Sequence, residues 1–442
     1  MALKSKQVQE FKETEIGKIP VDWKLEKLQD HLIIKGRIGW KGLKKSEFSK
    51  SEDCIIVNGP DIKNGKINWD SCLRIPKWRY DESPDIMLKN KDILMTKDGT
   101  IGKTCFLNNL TENATVASGI FVIRNNSKTL LQNFLYVYLN SFYFKNLVNS
   151  RIEGSVIPHL YQRDLTQLLI PLPTLSAQKK ICAHIENLDS KIENLQNQNH
   201  TLELTAQAIF KSWFIDFDGV TEFEDSELGK IPKKWTISTL SNLTSFDIGG
   251  TWGKEISDKD FNSPSFCIRG KNIPEIINGD DSKTLFLYGK KSIQEKRKLL
   301  PHDIVIEISG GSSTQLTGRS LLITERLLGR FQFPLLPASF CKLIRFEDKK
   351  FSFFVYLLLR FIYDIGEINQ YETGTTAIKN FQYAIFSNDY KFALPHNTIL
   401  EKFNQMIQSI FNIMDNNIIE VQKLVKTRDT LLPKLMSGEI RV

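Results

Sequence analysis

The sequence predicts a mixed α/β protein: two tandem globular domains, joined by two long helices that form an antiparallel coiled coil, with a pseudo-twofold internal repeat. Three observations carry this. At 442 residues the chain is too long for one ordinary core. One pattern of elements is stated twice. Two polar segments, one after each statement, keep a strict 3.5-residue apolar period. A hydrophobic content of 41% with 25% charged residues is that of a globular chain, not a disordered one.

The repeat is clearest at residues 15–28, EIGKIPVDWKLEKL, and 227–240, ELGKIPKKWTISTL. Seven of the fourteen positions are identical, where chance gives about one. Each copy reads as a Gly-Lys-Ile-Pro turn leading into an edge strand, with Trp23 or Trp235 as the anchor on a core. The elements that follow keep the same order. Strands DILMT (92–96) and DIVIE (303–307) precede Gly-rich turns DGTIG (98–102) and SGGS (309–312). Strands GIFVIR (119–124) and FCKLIR (340–345) come next, then apolar helices near 130–147 and 351–366. Small-residue loops EGSV (153–156) and ETGTT (372–376) follow, and each half closes at a proline, Pro173 or Pro395, before a long polar helix. The most apolar run, 351–365, contains Arg360 and falls short of the roughly 20 residues a membrane span needs, so a buried helix is expected.

Those two helices repeat at alternating steps of four and three. The first carries Ile181, Ile185, Leu188, Ile192, Leu195, Asn199, Leu202, Ala206, Ile209 and Trp213. The second carries Phe403, Ile407, Ile410, Met414, Asn417, Val421, Leu424, Arg428, Leu431 and Leu435. Elsewhere both are nearly all polar, which marks a coiled-coil seam; a helix lying on its own domain would show about three apolar positions in seven. Parallel pairing at the repeat offset places Asn199 against Val421 and Asn417 against Leu195, stranding two buried amides at about 1–3 kcal/mol each. Antiparallel pairing makes facing residue numbers sum to 616, so Asn199 meets Asn417 and fixes the register. Arg428 opposite Leu188 is the one awkward layer, eased by an Arg stem lying along apolar surface. The expected division is 1–174 first domain, 175–213 first helix, 214–225 linker, 226–396 second domain, 397–436 second helix and 437–442 tail. A duplicated reader on a rod of roughly 48 Å suits a partner that repeats along an axis, and B-DNA turns every ~34 Å.

Other classes fare poorly. The formal charge of +8 permits an anionic partner without requiring one. Six scattered cysteines without a C-x-x-C pair, and six scattered histidines, fit neither a zinc site nor a disulfide framework, and a reducing cytoplasm is expected. The first residues lack the apolar stretch of a signal peptide. GTIGKT (99–104) resembles a phosphate-binding loop, yet Lys97 stands where its first glycine belongs. No zinc-protease, nucleophile-elbow or dinucleotide motif occurs.

Four segments carry a family resemblance. AIFKSWFIDFD (208–218) followed by SELGKIP (226–232) resembles the central region of type I restriction-modification specificity subunits. LLPKLMSGEI (431–440) is similar to the end typical of that family, and PLPTLSAQKKI (171–181) to the start of its first long helix. The resemblance covers essentially the whole chain. It implies two target-recognition domains, each reading one half of a split sequence in double-stranded DNA, with the helices setting the unread spacer. It further implies that the helices dock two adenine-methyltransferase subunits and that motor-nuclease subunits complete the complex. S-adenosylmethionine, ATP and Mg²⁺ then belong to those partners, and the chain itself is non-catalytic. A fused methyltransferase would show an Asn-Pro-Pro-Tyr-like segment, which the sequence lacks.

Candidate DNA contacts in the first half begin with the basic stretch 35–45, KGRIGWKGLKK: Lys35, Arg37, Trp40, Lys41, Lys44 and Lys45, with cations for phosphates and Arg37 or Trp40 for a base edge. A second loop offers Arg151, Ser155, His159, Tyr161 and Arg163, and the Gly-rich turn offers Lys97, Asp98 and Lys103. In the second half Lys290, Lys291, Lys296, Arg297 and Lys298 precede the Gly-rich segment, where Gln315 is the candidate for adenine and Arg319 for guanine or phosphate. Thr375, Thr376 and Lys379 sit on the loop matching Ser155. For each, a solvated basic loop is the bland reading. The rival reading of the whole chain is a coiled-coil scaffold without sequence-specific DNA binding.

Overall fold

A computed structural model describes residues 10–37, 43–63, 65–141, 144–146, 148–149, 159–311, 315–374 and 379–442. The chain divides into two compact units, Met1–Ser190 with Val425–Val442, and Lys191–Leu424. Both borders fall inside the long helices, not at their ends, because each helix segment packs on the domain body beside it.

In the first unit a four-stranded antiparallel sheet runs Thr104–Phe106, Ile93–Thr96, Ile120–Asn125, Leu32–Gly36. Its residues alternate between two cores. Leu94 and Val122 face a three-stranded sheet, Ala114–Val116, Cys54–Val57, Leu73–Ile75, whose first pair is parallel. Ile93, Met95 and Ile123 face the helix Gln132–Asn140 and the ends of both long helices. The second unit repeats this order, with Ser320–Leu322, Ile304–Glu307, Cys341–Phe346, Thr244–Gly249 in one sheet and Leu335–Pro337, Ser263–Ile268, Leu285–Gly289 in the other. Val305 and Leu343 face one core, and Ile304, Ile306 and Ile344 the other, beneath the helix Ser352–Asp364.

One ion pair locks each sheet. Arg124 donates to both oxygens of Asp92 at 2.7 Å. Arg345 grips Asp303 in the same way, at 2.8 and 2.7 Å. Each aspartate also accepts from the backbone three residues earlier, Lys89 N at 2.9 Å and Leu300 N at 2.6 Å, so the buried carboxylates are satisfied on every side.

Three expected elements differ. Gly17–Pro20 and Gly229–Pro232 are strands of hairpins with Phe11–Thr14 and Phe223–Ser226, and not turns; only Gly17 (φ +100) and Gly229 (φ +86) take the turn conformation. The first apolar helix stops at Asn140, where Ser141 turns extended and its hydroxyl donates to Tyr138 O (2.7 Å). Ser309–Gly311 is a strand paired with Lys379–Phe381, in place of a free turn.

The long helices span Leu175–Phe214 and Asn397–Met436. In the second unit they run antiparallel: Asn417 Nδ2 donates to Asn199 Oδ1 (2.9 Å), and the Trp213 ring lies 6.1 Å from that of Phe403. Asn199 Nδ2 completes the layer on Met414 O (3.0 Å). In the first unit Ile181, Ile185, Leu432 and Leu435 share one core. There Arg428 escapes its apolar layer by bonding Asp189 at 2.9 Å. Leu188, Leu202, Ile209, Ile410, Leu424 and Leu431 are partly covered seam residues, while Ile192, Leu195, Ile407, Met414 and Val421 are buried.

Each tryptophan anchor is covered by a helix end. Gly438 packs against Pro20 and Trp23, so closely that a Cβ would stand 2.4 Å from Pro20 Cγ. In the second unit Phe214 and Phe217 pack on Trp235, with ring centres 5.9 and 5.5 Å away.

The second helix carries a further stripe, offset from the seam. Asn404 Nδ2 donates to Lys350 O (2.7 Å), Phe411 packs on Phe353 and Tyr356, and Gln422 Nε2 donates to Gly279 O (2.9 Å). Ile418 is buried against Gly279 between them. This helix therefore serves both as a seam and as a layer of its own domain.

Candidate nucleic-acid interface

The end of each four-stranded sheet is built by one set of backbone bonds. In the first unit Lys97 N donates to Gly119 O (2.9 Å), Thr96 N to Lys103 O (2.9 Å) and Leu160 N to Lys97 O (3.0 Å). In the second, Ile308 N donates to Phe340 O (2.9 Å), Glu307 N to Arg319 O (2.9 Å) and Phe381 N to Ile308 O (2.9 Å). Asp98 thus corresponds to Ser309 and His159 to Asn380, and both pairs face each other across a short ladder. Identical frames carry different side chains.

Two candidate loops of the first half, separate in sequence, meet at this end. The His159 ring contacts the Asp98 carboxylate and stands 4.5 Å from the Tyr161 ring, and Arg163 lies over Tyr161 at 4.9 Å. Lys97 stands over the Phe121 ring at 5.1 Å. Tyr161 and Arg163 remain open to solvent, and Lys103, on the hairpin, is half-buried. The turn 97–103 links two antiparallel strands, Ile93–Thr96 and Thr104–Phe106. A phosphate-binding loop would instead run from a strand into a helix N-terminus.

In the second unit Gln315, Arg319 and Lys379 come together on the matching ladder. Arg319 donates to both oxygens of the buried Glu307 at 2.8 and 2.6 Å, and the Gln315 amide turns its oxygen to the same guanidinium. Lys379 is paired to Glu372 at 2.7 Å, which also accepts from Thr317. Those hydrogen bonds hold the Glu372 carboxyl below its usual range although burial pushes it up.

Three expectations require correction. Arg37 is no surface contact: it is 4% exposed, and its Nε donates to Val116 O (3.1 Å), tying the sheet edge to the neighbouring layer. Burial and the nearby Arg79 lower its pKa from the ordinary guanidinium value. Arg319 is committed to Glu307, a buried acid where the first unit has Thr96, so its charge is neutralised within the domain. Arg297 donates to Gly249 O (2.8 Å) and is likewise structural. Lys35 pairs with Asp85 at 3.3 Å and Lys44 is exposed. Lys290 and Lys291 are exposed, with Lys290 and Lys254 over the Phe261 ring at 5.5 and 4.6 Å. Trp40, Lys41, Arg151, Ser155, Thr375 and Thr376, and the side chain of Lys45, lie outside the described residues.

Sequence reasoning missed Phe340 and Trp252, both strongly exposed at the second sheet end. A signal existed: aligning Ala117, Ser118, Gly119 with Ala338, Ser339, Phe340 sets an aromatic ring against a glycine. Among the described residues there is no metal-ligating cluster, and no helix is long and apolar enough to cross a membrane.

Comparison with known proteins matches this architecture. A family model for the type I restriction modification DNA specificity domain matches residues 20–204. The MjaIX specificity subunit of Methanocaldococcus jannaschii is 28% identical, over 98% of this chain and 97% of its own. The HindI specificity subunit of Haemophilus influenzae is 25% identical, over 90% and 96%. The crystal structure of the S subunit from M. genitalium shares the fold, with a TM-score of 0.50 at 15% identity over 93% of this chain and 96% of its own. Over nearly its whole length the chain is similar to type I restriction-modification specificity subunits.

Proposed function

We propose that this chain is a type I restriction-modification specificity subunit that reads a bipartite DNA target, one half-site per domain, and is itself non-catalytic. The helices set the unread spacer and dock two methyltransferase subunits, to which motor-nuclease subunits add. S-adenosylmethionine, ATP and Mg²⁺ are held by those partners, and the complex works in the cytoplasm. The observation that carries this reading is the pair of matched sheet ends. A shared backbone frame with Asp98, His159, Tyr161 and Arg163 on one copy, and Ser309, Asn380, Gln315 and Phe340 on the other, supports recognition of two different half-sequences.

The test is methylation mapping in cells carrying this gene with its methyltransferase gene, followed by duplex binding of the purified complex. The expected result is one split sequence with a fixed spacer, bound with a steep salt dependence. Methylation at an uninterrupted site overturns the two-reader assignment. Salt-independent assembly with the methyltransferase, without preference among duplexes, supports the scaffold reading instead.

A further inference from the structure

Phe340 is 66% exposed and Trp252 is 51% exposed, on adjacent turns at the end of the second sheet. Neither turn is loose. Gly250 N donates to Cys341 O (2.8 Å) and Thr251 N to Pro337 O (2.9 Å), while Cys341 N closes on Ala338 O (2.8 Å). A Cβ on Gly250 would stand 2.1 Å from Ala338 O, so the two turns are pressed backbone to backbone. Ala338 and Cys341, flanking the exposed ring, are buried. The ring is thus presented from a rigid base.

The fold does not require it. In the first unit Gly119 makes the same bond to the strand beside it, with no side chain at all. A phenyl group left in water forgoes the transfer free energy its burial would supply. Its neighbours on the ladder are Ser309 and Asn380, at the positions of Asp98 and His159 in the first unit.

We propose that Phe340, flanked by Trp252, reads thymine in the half-site taken by the second domain, by covering its C5 methyl group in the major groove. This rests on the two-reader assignment above. A phenyl ring has neither donor nor acceptor. Of the groups that base pairs present in the major groove, only the thymine methyl is apolar; covering an amino or carbonyl edge would strand a polar group. Phe340 therefore favours an A·T pair and penalises G·C at one position. The first domain, with Gly119 in its place, has no such contact.

The experiment uses the full chain in complex with its methyltransferase subunits, on the mapped target. Each thymine is replaced singly by uracil, which removes only the methyl group. Wild type is expected to lose about three- to tenfold in affinity at one thymine, the scale of one buried methyl. The F340A variant starts weaker by a similar factor and is indifferent to uracil there, yet responds like wild type at thymines of the other half-site. Unchanged thermal unfolding and a partial response in F340L exclude misfolding as the cause. A second half-site made only of G·C pairs overturns the proposal. So does F340A that weakens every duplex alike, as a ring wedged between bases would, or that keeps every uracil response. Wild type indifferent to sequence in both halves sinks the two-reader assignment; wild type that reads both halves without a Phe340-dependent thymine sinks this proposal alone.

Discussion

Asn199 and Asn417 do more to fix the register of the helices than any apolar layer, because leucine layers are interchangeable and one amide pair is not. Each amide has its partner on the facing helix, at 2.9 and 3.0 Å. Asn199→Leu strands the Asn417 amide and should cost about 1–3 kcal/mol in chemical denaturation. Adding Asn417→Leu should recover much of that loss; equal damage from single and double variants would mean that the amides do not act as a pair. The sheet locks allow a similar comparison. Arg124→Ala or Arg345→Ala leaves a carboxylate of 4% or 2% exposure unpaired and should cost about 3 kcal/mol, read as a lower unfolding midpoint. Arg163→Ala, a 79% exposed guanidinium, should shift it by less than about 0.5 kcal/mol. At this scale the sequence was legible where geometry was implied, as in the 616 rule that paired the asparagines. It was opaque for Arg37 and Arg319. Composition does not distinguish a guanidinium aimed at solvent from one bound to Val116 O or to a buried glutamate.

Among the elements, the second long helix has two faces while its seam alone was evident beforehand. The seam repeats in apolar residues, which periodicity detects. The other stripe, Asn404, Phe411, Asp415, Ile418 and Gln422, is mostly polar and binds backbone carbonyls or caps, so no hydrophobic count reveals it. Burial pushes the Asp415 carboxyl above its ordinary range, and the Thr324 hydroxyl, the cap of a short helix, partly offsets that. Gly279 is the tightest point: its φ is +84, and a Cβ would stand 2.9 Å from Ile418 Cγ2. Gly279→Ala should destabilise the second domain by about 1–2 kcal/mol through strain and displacement of the helix. Gln422→Ala should cost about 1 kcal/mol, losing bonds to Gly279 O and Asp281 at 2.9 and 2.8 Å. The matching residues of the first helix, Gln196 and His200, are exposed, and alanine there should be silent in the same urea titration. Equal effects on both helices would refute the two-faced description.

For the whole molecule, duplication explains why so much of the fold was legible: the same strand order, sheet lock and tryptophan anchor recur in each unit. It also explains why the candidate interface was not, since the two copies diverge where side chains leave the shared frame, at Gly119 against Phe340 and Thr96 against Glu307. The proposed division of labour makes helix length the determinant of spacer length. Facing positions Ile192 and Leu424 accept matched insertions without moving the asparagine pair. One heptad in each helix adds about 10 Å, which is roughly three base pairs of DNA rise and a third of a turn. Three heptads add about 31 Å, roughly nine base pairs and nearly a full turn, so each half-site again presents much the same face to its domain. Methylation mapping should then show both half-sites unchanged, the spacer lengthened by about nine base pairs, and better activity with three heptads than with one. An unaltered spacer in the three-heptad variant would mean that the helices hold the domains without measuring the DNA.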